Sequence, residues 1–226
     1  MTIHEAILAR HSVRHYTDAP LTTEQIETLK AEMERCNTEG NLHLQLIINE
    51  PNCFQAEKPH YGKFQNVRNY IALVGQRSKD LDERLGYFGE CVVLLAQTLG
   101  LNTCWVGLTY KKTPDAMQIL PDERLRGVIA IGTGVDGGVQ HKSKSFEAVT
   151  EGKDFPEWFQ KGVAAALLAP TAINQQKFRF SYKEDQVSVK AGLGFFAHMD
   201  LGIVAYHFEI ASGHSFFLNQ LRTGKS

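Results

Sequence analysis

The sequence predicts an α+β fold of two unequal halves around two buried central helices. Three observations carry this. Helical and strand periods follow one another as α-α-β-β-α-β-α-β and then α-β-β-α-β, not in the regular βαβ alternation of a wound parallel sheet. Two segments, near 80–99 and 197–211, are apolar almost all round, as helices without a solvent face are. Leu85-Gly86-Tyr87-Phe88 and Leu193-Gly194-Phe195-Phe196 open those two segments alike. With a similar order of neighbouring elements, this reads as a diverged internal duplication.

Each element has its own signal. A first helix runs from Ile3 to about Arg10, with Thr2 and Glu5 as a capping box. A second follows Thr22, with Gln25 completing the box and Leu21 and Ile26 spaced as a hydrophobic staple. Short apolar runs at His43–Asn49 and Asn69–Gly75 read as strands. In the long helix Leu81, Leu85, Phe88, Val92, Leu95 and Leu99 recur at helical spacing, and Gly100 ends it. Thr103–Val106 and Gly127–Ile131 read as strands, with a short helix after Pro114 between them. Pro156 suits the first position of a helix reaching Leu168. Lys177–Lys183 and Gln186–Lys190 form a strand pair around Glu184-Asp185. The second buried helix ends at Gly213, and His214–Leu218 reads as a last strand. The expected division is a first half, residues 1–153, and a shorter second half, 154–226, packed on it as one unit.

The 226 residues suffice for a substantial core. With 24 Lys+Arg against 25 Asp+Glu, a nucleic-acid surface is not indicated. No apolar run is long enough to span a bilayer, and Met1–Glu5 shows no signal-peptide pattern. Cys36, Cys53, Cys91 and Cys104 share no short metal-type spacing and read as reduced thiols of a cytoplasmic protein. The 9 histidines include no H-E-x-x-H pair, so no metal site is expected. His198 and Asp200 could pair, but a core histidine is the expectation there.

Four segments can carry chemistry. Arg10-His11-Ser12-Val13-Arg14 sets two guanidinium forks and a hydroxyl on one side of an extended stretch. By itself it fits a solvated basic turn as well as a phosphate grip. Trp105-Val106-Gly107-Leu108 puts a glycine at a strand end, where backbone can approach a ligand closely. Lys142-Ser143-Lys144 points two ammonium groups the same way, as a phosphate clamp or an ordinary solvated face. Ala169-Pro170-Thr171-Ala172-Ile173-Asn174-Gln175-Gln176 combines small residues with amides that could meet the edge of a flat ring, or is a plain capping loop. Gly132-Thr133-Gly134-Val135-Asp136-Gly137 matches G-x-G-x-x-G but opens no helix, so a dinucleotide fingerprint is not expected.

Together these segments resemble the nitroreductase family of FMN-dependent oxidoreductases over most of the chain. The resemblance implies a three-layer α/β/α sandwich. In the usual family a Pro-Ser-x-x-Asn loop follows the second helix and serves a partner subunit's flavin. Here Cys36–Asn41 holds that place without proline, and a similar loop appears at Pro170–Asn174. The chain thus resembles a fused pseudo-dimer able to work as a monomer with one flavin site. The second pseudo-site is expected to be dead, since Asp154–Gln160 has no match to residues 10–14. By this resemblance Arg10, Ser12, Lys142 and Lys144 hold the FMN phosphate, with His11 in the same motif. Arg14 meets the N1/O2 side of the ring. A backbone N–H near Gly107 faces the reactive nitrogen, beside Trp105, Val106 and Leu108. Pro170, Thr171, Ala172 and Asn174 line the ring. NAD(P)H would donate electrons, and a nitroaromatic or quinone-type acceptor would take them, with no side chain as catalytic acid. A flavin-sequestering protein and a shell that has lost flavin are the alternatives. Tyr61, Gly62 and Lys63 fall on a loop that could cover the flavin.

Overall fold

The computed structural model describes residues 1–55 and 63–222. Helix α1 (Ile3–Ala9) and helix α2 (Thr23–Gly40) both open on capping boxes, Thr2 with Glu5 and Thr22 with Gln25. Each box pairs two backbone N–H groups that a helix start would otherwise leave unpaired. Strand β1 (Gln45–Ile47), β2 (Asn69–Gln76), β3 (Asn102–Val106) and β4 (Glu123–Gly132) form a sheet in the order β1-β2-β4-β3, antiparallel throughout. Both faces of this sheet are covered. Along β2, Ile71 and Leu73 join the main core, while Tyr70, Ala72 and Val74 join a second cluster on the opposite face. That is why β2 is an unbroken apolar run rather than an alternation.

Helix α3 (Leu81–Thr98) follows β2, and Gly100 at φ +75 turns the chain out of it. A second sheet, β5-β6-β7, uses β5 (Thr150–Glu151), β6 (Phe178–Lys183) and β7 (Gln186–Ala191). Its first strand precedes residue 154, so the sheet crosses the division expected from sequence. Glu184 and Asp185 both have positive φ, the geometry that a two-residue hairpin requires. Helix α4 (Glu157–Ala166) is preceded by Pro156 as its cap residue. Helix α5 (Ala197–Ser212) ends on Gly213 in the left-handed region.

Helices α3 and α5 cross at two glycines. A Cβ on Gly86 would run into the Met199 carbonyl oxygen, and one on Gly202 into the Glu83 carbonyl oxygen. The contact is reciprocal. Gly86 faces positions three before and one after Gly202, and Gly202 faces the equivalent two positions around Gly86. Only glycine lets the two backbones come this close. One side of α5 is thereby buried against α3, while Phe208 on α5 packs over Gly162 of α4.

Three expected elements differ. Residues 114–116 form a turn, not a helix. The Gln45 side chain takes both backbone groups of Gln118, at 2.7 and 2.8 Å, so these are not left for a helix. His214–Leu218 is not a strand: a short helix α6 (Phe217–Arg222) begins there. The Glu209 carboxylate accepts from the Phe216 and Phe217 N–H groups, both at 2.7 Å, and so caps the start of α6. Leu193–Phe196 is loop. Phe196, at φ 60, is the residue before α5, so Leu193-Gly194-Phe195-Phe196 does not open that helix.

Candidate functional site

A large cleft of about 1140 Å³ opens beside the α3–α5 crossing. Residues 10–14 form one wall, and backbone contacts fix them. Val13 N donates to Thr103 O at 3.0 Å, and Ser12 bridges Thr103 in parallel, so the segment extends the β3 edge. Val13 is turned into the core. Arg10, His11, Ser12 and Arg14 reach the cleft.

Arg10 is almost wholly buried. Its Nε lies 3.8 Å from Glu90 Oε1 and has no hydrogen-bond partner, while Nη2 donates to Leu168 O at 3.5 Å. Burial holds its guanidinium below the usual value, with Glu90 opposing. Glu90 is itself 0% exposed. It accepts from Trp105 Nε1 at 2.8 Å and pairs with His207 Nε2 at 2.8 Å. This one carboxylate from α3 therefore ties the first wall to β3 and to α5.

The second wall is the end of β3, with Trp105, Val106, Gly107 and Leu108. Any Cβ on Gly107 would strike the Phe196 ring, 2.5 Å away. The glycine thus admits an aromatic side chain from the other half of the chain over the strand end.

The third wall is the loop Pro170–Gln175, whose backbone is strained: Ile173 and Asn174 sit at φ 47 and 55, and Gln176 at φ 45. Hydrogen bonds hold it there. Asp200 accepts from Ala172 N at 3.0 Å and Gln175 Nε2 at 2.7 Å. Asn174 Nδ2 and Gln176 Nε2 both donate to Lys142 O at 2.9 Å, and Gln176 Oε1 accepts from Lys144 N at 2.8 Å. The amides expected to read a ring edge are thus engaged in shaping the loop.

Lys142 and Lys144 do not line the cleft. Both are exposed, and Lys144 Nζ donates to Gln176 O at 2.8 Å. Their segment supports the strained loop from outside. The other sequence-predicted residues — Arg10, His11, Ser12, Arg14, Trp105, Val106, Gly107, Leu108, Pro170, Thr171, Ala172 and Asn174 — all line one cleft. Of the three loop residues considered as a cover, Lys63 lines it, whereas Tyr61 and Gly62 lie outside the described residues.

Sequence reasoning missed the contribution of α5 and its approach. Leu193 and Phe195, 95% and 88% exposed, stand at the cleft with Phe196, Met199, Asp200 and Ile203. Two adjacent phenylalanines placed beside glycine are the available signal, though in sequence they read as the opening of the second buried helix. His198 was expected to be a core histidine; it is exposed and its Nδ1 lies 2.6 Å from Glu83 Oε1. Asp200 bonds the strained loop instead. Burial pushes its carboxyl up to about 6, against the two hydrogen bonds it accepts.

The charged residues lining the cleft are mostly cationic, Arg10, Arg14, Lys63 and Lys177 against Asp136 and Asp200, and much of the remaining lining is apolar. Such a site suits a ligand with an anionic end and a flat apolar body. No helix among the described residues is long and apolar enough to cross a membrane.

A family model described as "Putative TM nitroreductase" matches residues 2–212. A nitroreductase-type structure from Thermotoga maritima superposes with a TM-score of 0.65 at 22% identity, covering 93% of this chain and 83% of that one. One from Desulfovibrio desulfuricans, solved with FMN, gives 0.52 at 18% identity over 69% of this chain and 99% of its own. One from Bacteroides thetaiotaomicron, described as an NADH dehydrogenase/NAD(P)H nitroreductase, gives 0.51 at 17% identity, covering 65% and 95%. No curated protein sequence matches the chain.

Proposed function

Because this chain belongs to the TM nitroreductase family over residues 2–212, we propose that it is an FMN-dependent oxidoreductase that takes electrons from NAD(P)H and passes them to a small acceptor of nitroaromatic or quinone type. The observation that carries this reading is the single cleft walled by residues 10–14, the end of β3 and the loop 170–175. The donor set fits FMN. A buried guanidinium whose Nε has no hydrogen-bond partner, a hydroxyl and a second guanidinium stand on one wall, suited to a phosphate and to a polarised ring edge. Bound FMN would supply the hydride chemistry, and the protein's task would be binding, orientation and electrostatics.

Each wall then has a role. Ser12 and Arg10 would hold the phosphate end, without Lys142 and Lys144. Arg14 would bring positive charge to the ring's polar edge, favouring its electron-rich form. The backbone at Gly107 and the strained loop held by Asp200 would line the ring. Phe195, Phe196 and Leu193 would cover the acceptor's side. The first half contributes residues 10–14 and 105–108, and the second contributes 170–175 and 193–203. The proposed duplication rests on the reciprocal crossing at Gly86 and Gly202 rather than on the Leu193–Phe196 match.

The visible spectrum of the purified protein with added FMN tests the reading. Flavin bands that persist after desalting and bleach with NAD(P)H support it. Arg14→Ala should weaken FMN retention and slow the bleaching. Bands that NAD(P)H leaves unchanged point to a flavin-sequestering protein. Failure to retain FMN refutes the site.

A further inference from the structure

Away from the cleft, α2 and α3 bring together two thiols and a carboxylate. Glu32 and Cys36 are four residues apart on α2 and so share one helix face, and Cys91 meets them from α3. One ligand atom from each of the three lies within 4.8 Å of the other two. Cys91 Sγ is 2.8 Å and Cys36 Sγ 4.0 Å from Glu32 Oε1. Both cysteines are buried, whereas the Glu32 side chain is 24% exposed, which leaves an approach from solvent.

We propose that Glu32, Cys36 and Cys91 form a binding site for a thiophilic divalent cation of the zinc type, joining α2 to α3. In a tetrahedral zinc site with metal–sulfur bonds of about 2.3 Å, ligand atoms stand roughly 3.5–3.8 Å apart. The observed triangle needs only small side-chain rotations to reach that spacing. Two thiolates and a carboxylate are a donor set that prefers zinc-type ions to magnesium or calcium. Arg35 Nη2, which meets Glu32 Oε1, Cys91 Sγ at 3.2 Å and Cys36 Sγ at 3.9 Å, must turn outward to admit the ion, and the fourth position is then left to water.

Charge supports the same conclusion. Arg35 donates to Glu32 and reaches Cys91 Sγ at 3.2 Å. Without metal, the carboxylate and guanidinium cancel beside two neutral thiols. When a dication binds, both thiols release their protons to solvent, and the two thiolates, the carboxylate, the dication and the guanidinium again sum to zero. A buried cluster that is neutral in both states avoids the cost of an unpaired charge. The hydroxyl of Tyr206, on α5, also bonds Cys91 and serves as an outer support for the ligand.

The site is independent of the flavin reading, so its test does not use activity. Freshly reduced protein is mixed with zinc chloride, desalted and assayed for bound metal. One zinc per chain is expected, and cobalt in its place should give thiolate-to-cobalt charge-transfer absorption. Glu32→Gln, at a partly exposed position, removes a charged ligand and should weaken retention sharply. Cys36→Ser or Cys91→Ser should abolish the cobalt band, and Cys53→Ala, on the far face of the sheet, should leave it intact. No zinc retained by the folded wild-type protein overturns the proposal. So does a cobalt band that survives loss of Cys36 and Cys91, or a Cys36–Cys91 disulfide in protein kept under reductant.

Discussion

At the scale of single residues, two buried carboxylates organise the cleft in different ways. Asp200 holds the strained loop, and burial raises its carboxyl from the ordinary 3.8 to about 6. Between those values the folded protein keeps a proton that the unfolded chain has lost. Its contribution therefore favours folding below about pH 4, falls as pH rises to about 6, and is constant above that. The fall is on the order of 3 kcal/mol. Denaturant unfolding over a pH series should show it in the wild type and not in Asp200→Asn; equal slopes in both would refute the assignment. Glu90 instead is a hub, shared by Trp105, His207 and Arg10. Glu90→Ala leaves the Arg10 charge buried without its counter-charge and should cost about 3–5 kcal/mol in the same unfolding assay.

Among elements, the α3–α5 crossing sets the geometry of the site, since α3 carries Glu90 and α5 carries Asp200 and Met199. Gly86→Ala or Gly202→Ala drives a methyl group into backbone carbonyl of the facing helix. Backbone cannot rotate aside as a side chain can, so each should destabilise by about 1–3 kcal/mol. A thermal melt unchanged in both variants would show that the helices can slide apart freely. At the hairpin, Glu184→Asn should be neutral to slightly stabilising, by a few tenths of a kcal/mol, because asparagine tolerates the φ of 53 found there.

For the whole molecule, the described walls of the cleft come from both parts of one chain, residues 10–14 and 105–108 and residues 170–203. The expected outcome is a monomer by sedimentation with one FMN per chain. Two chains needed for one flavin would overturn the single-chain site. A fragment holding residues 1–153 lacks the loop and α5, and leaves uncovered the face of α3 that α5 buries. It should aggregate and fail to retain FMN.

Capping boxes, the apolar run of β2, the two buried helices and the turn at Glu184-Asp185 were legible in the sequence, because each depends on residues within a few positions of one another. The motifs of the cleft's three walls were legible for the same reason. Tertiary structure decided the rest. The carboxylate of Glu209 turned an expected strand into the start of α6, and the Gln45 side chain kept residues after Pro114 from forming a helix. Lys142 and Lys144 look like a phosphate clamp in sequence, but their backbone is used to brace the strained loop. Asp200 and Phe196 gained their roles, and Cys36 came to face Cys91, through the α2–α3 and α3–α5 contacts. Local spacing specifies which elements form. Which side chains meet depends on the crossing of distant helices, here fixed by two glycines more than a hundred residues apart.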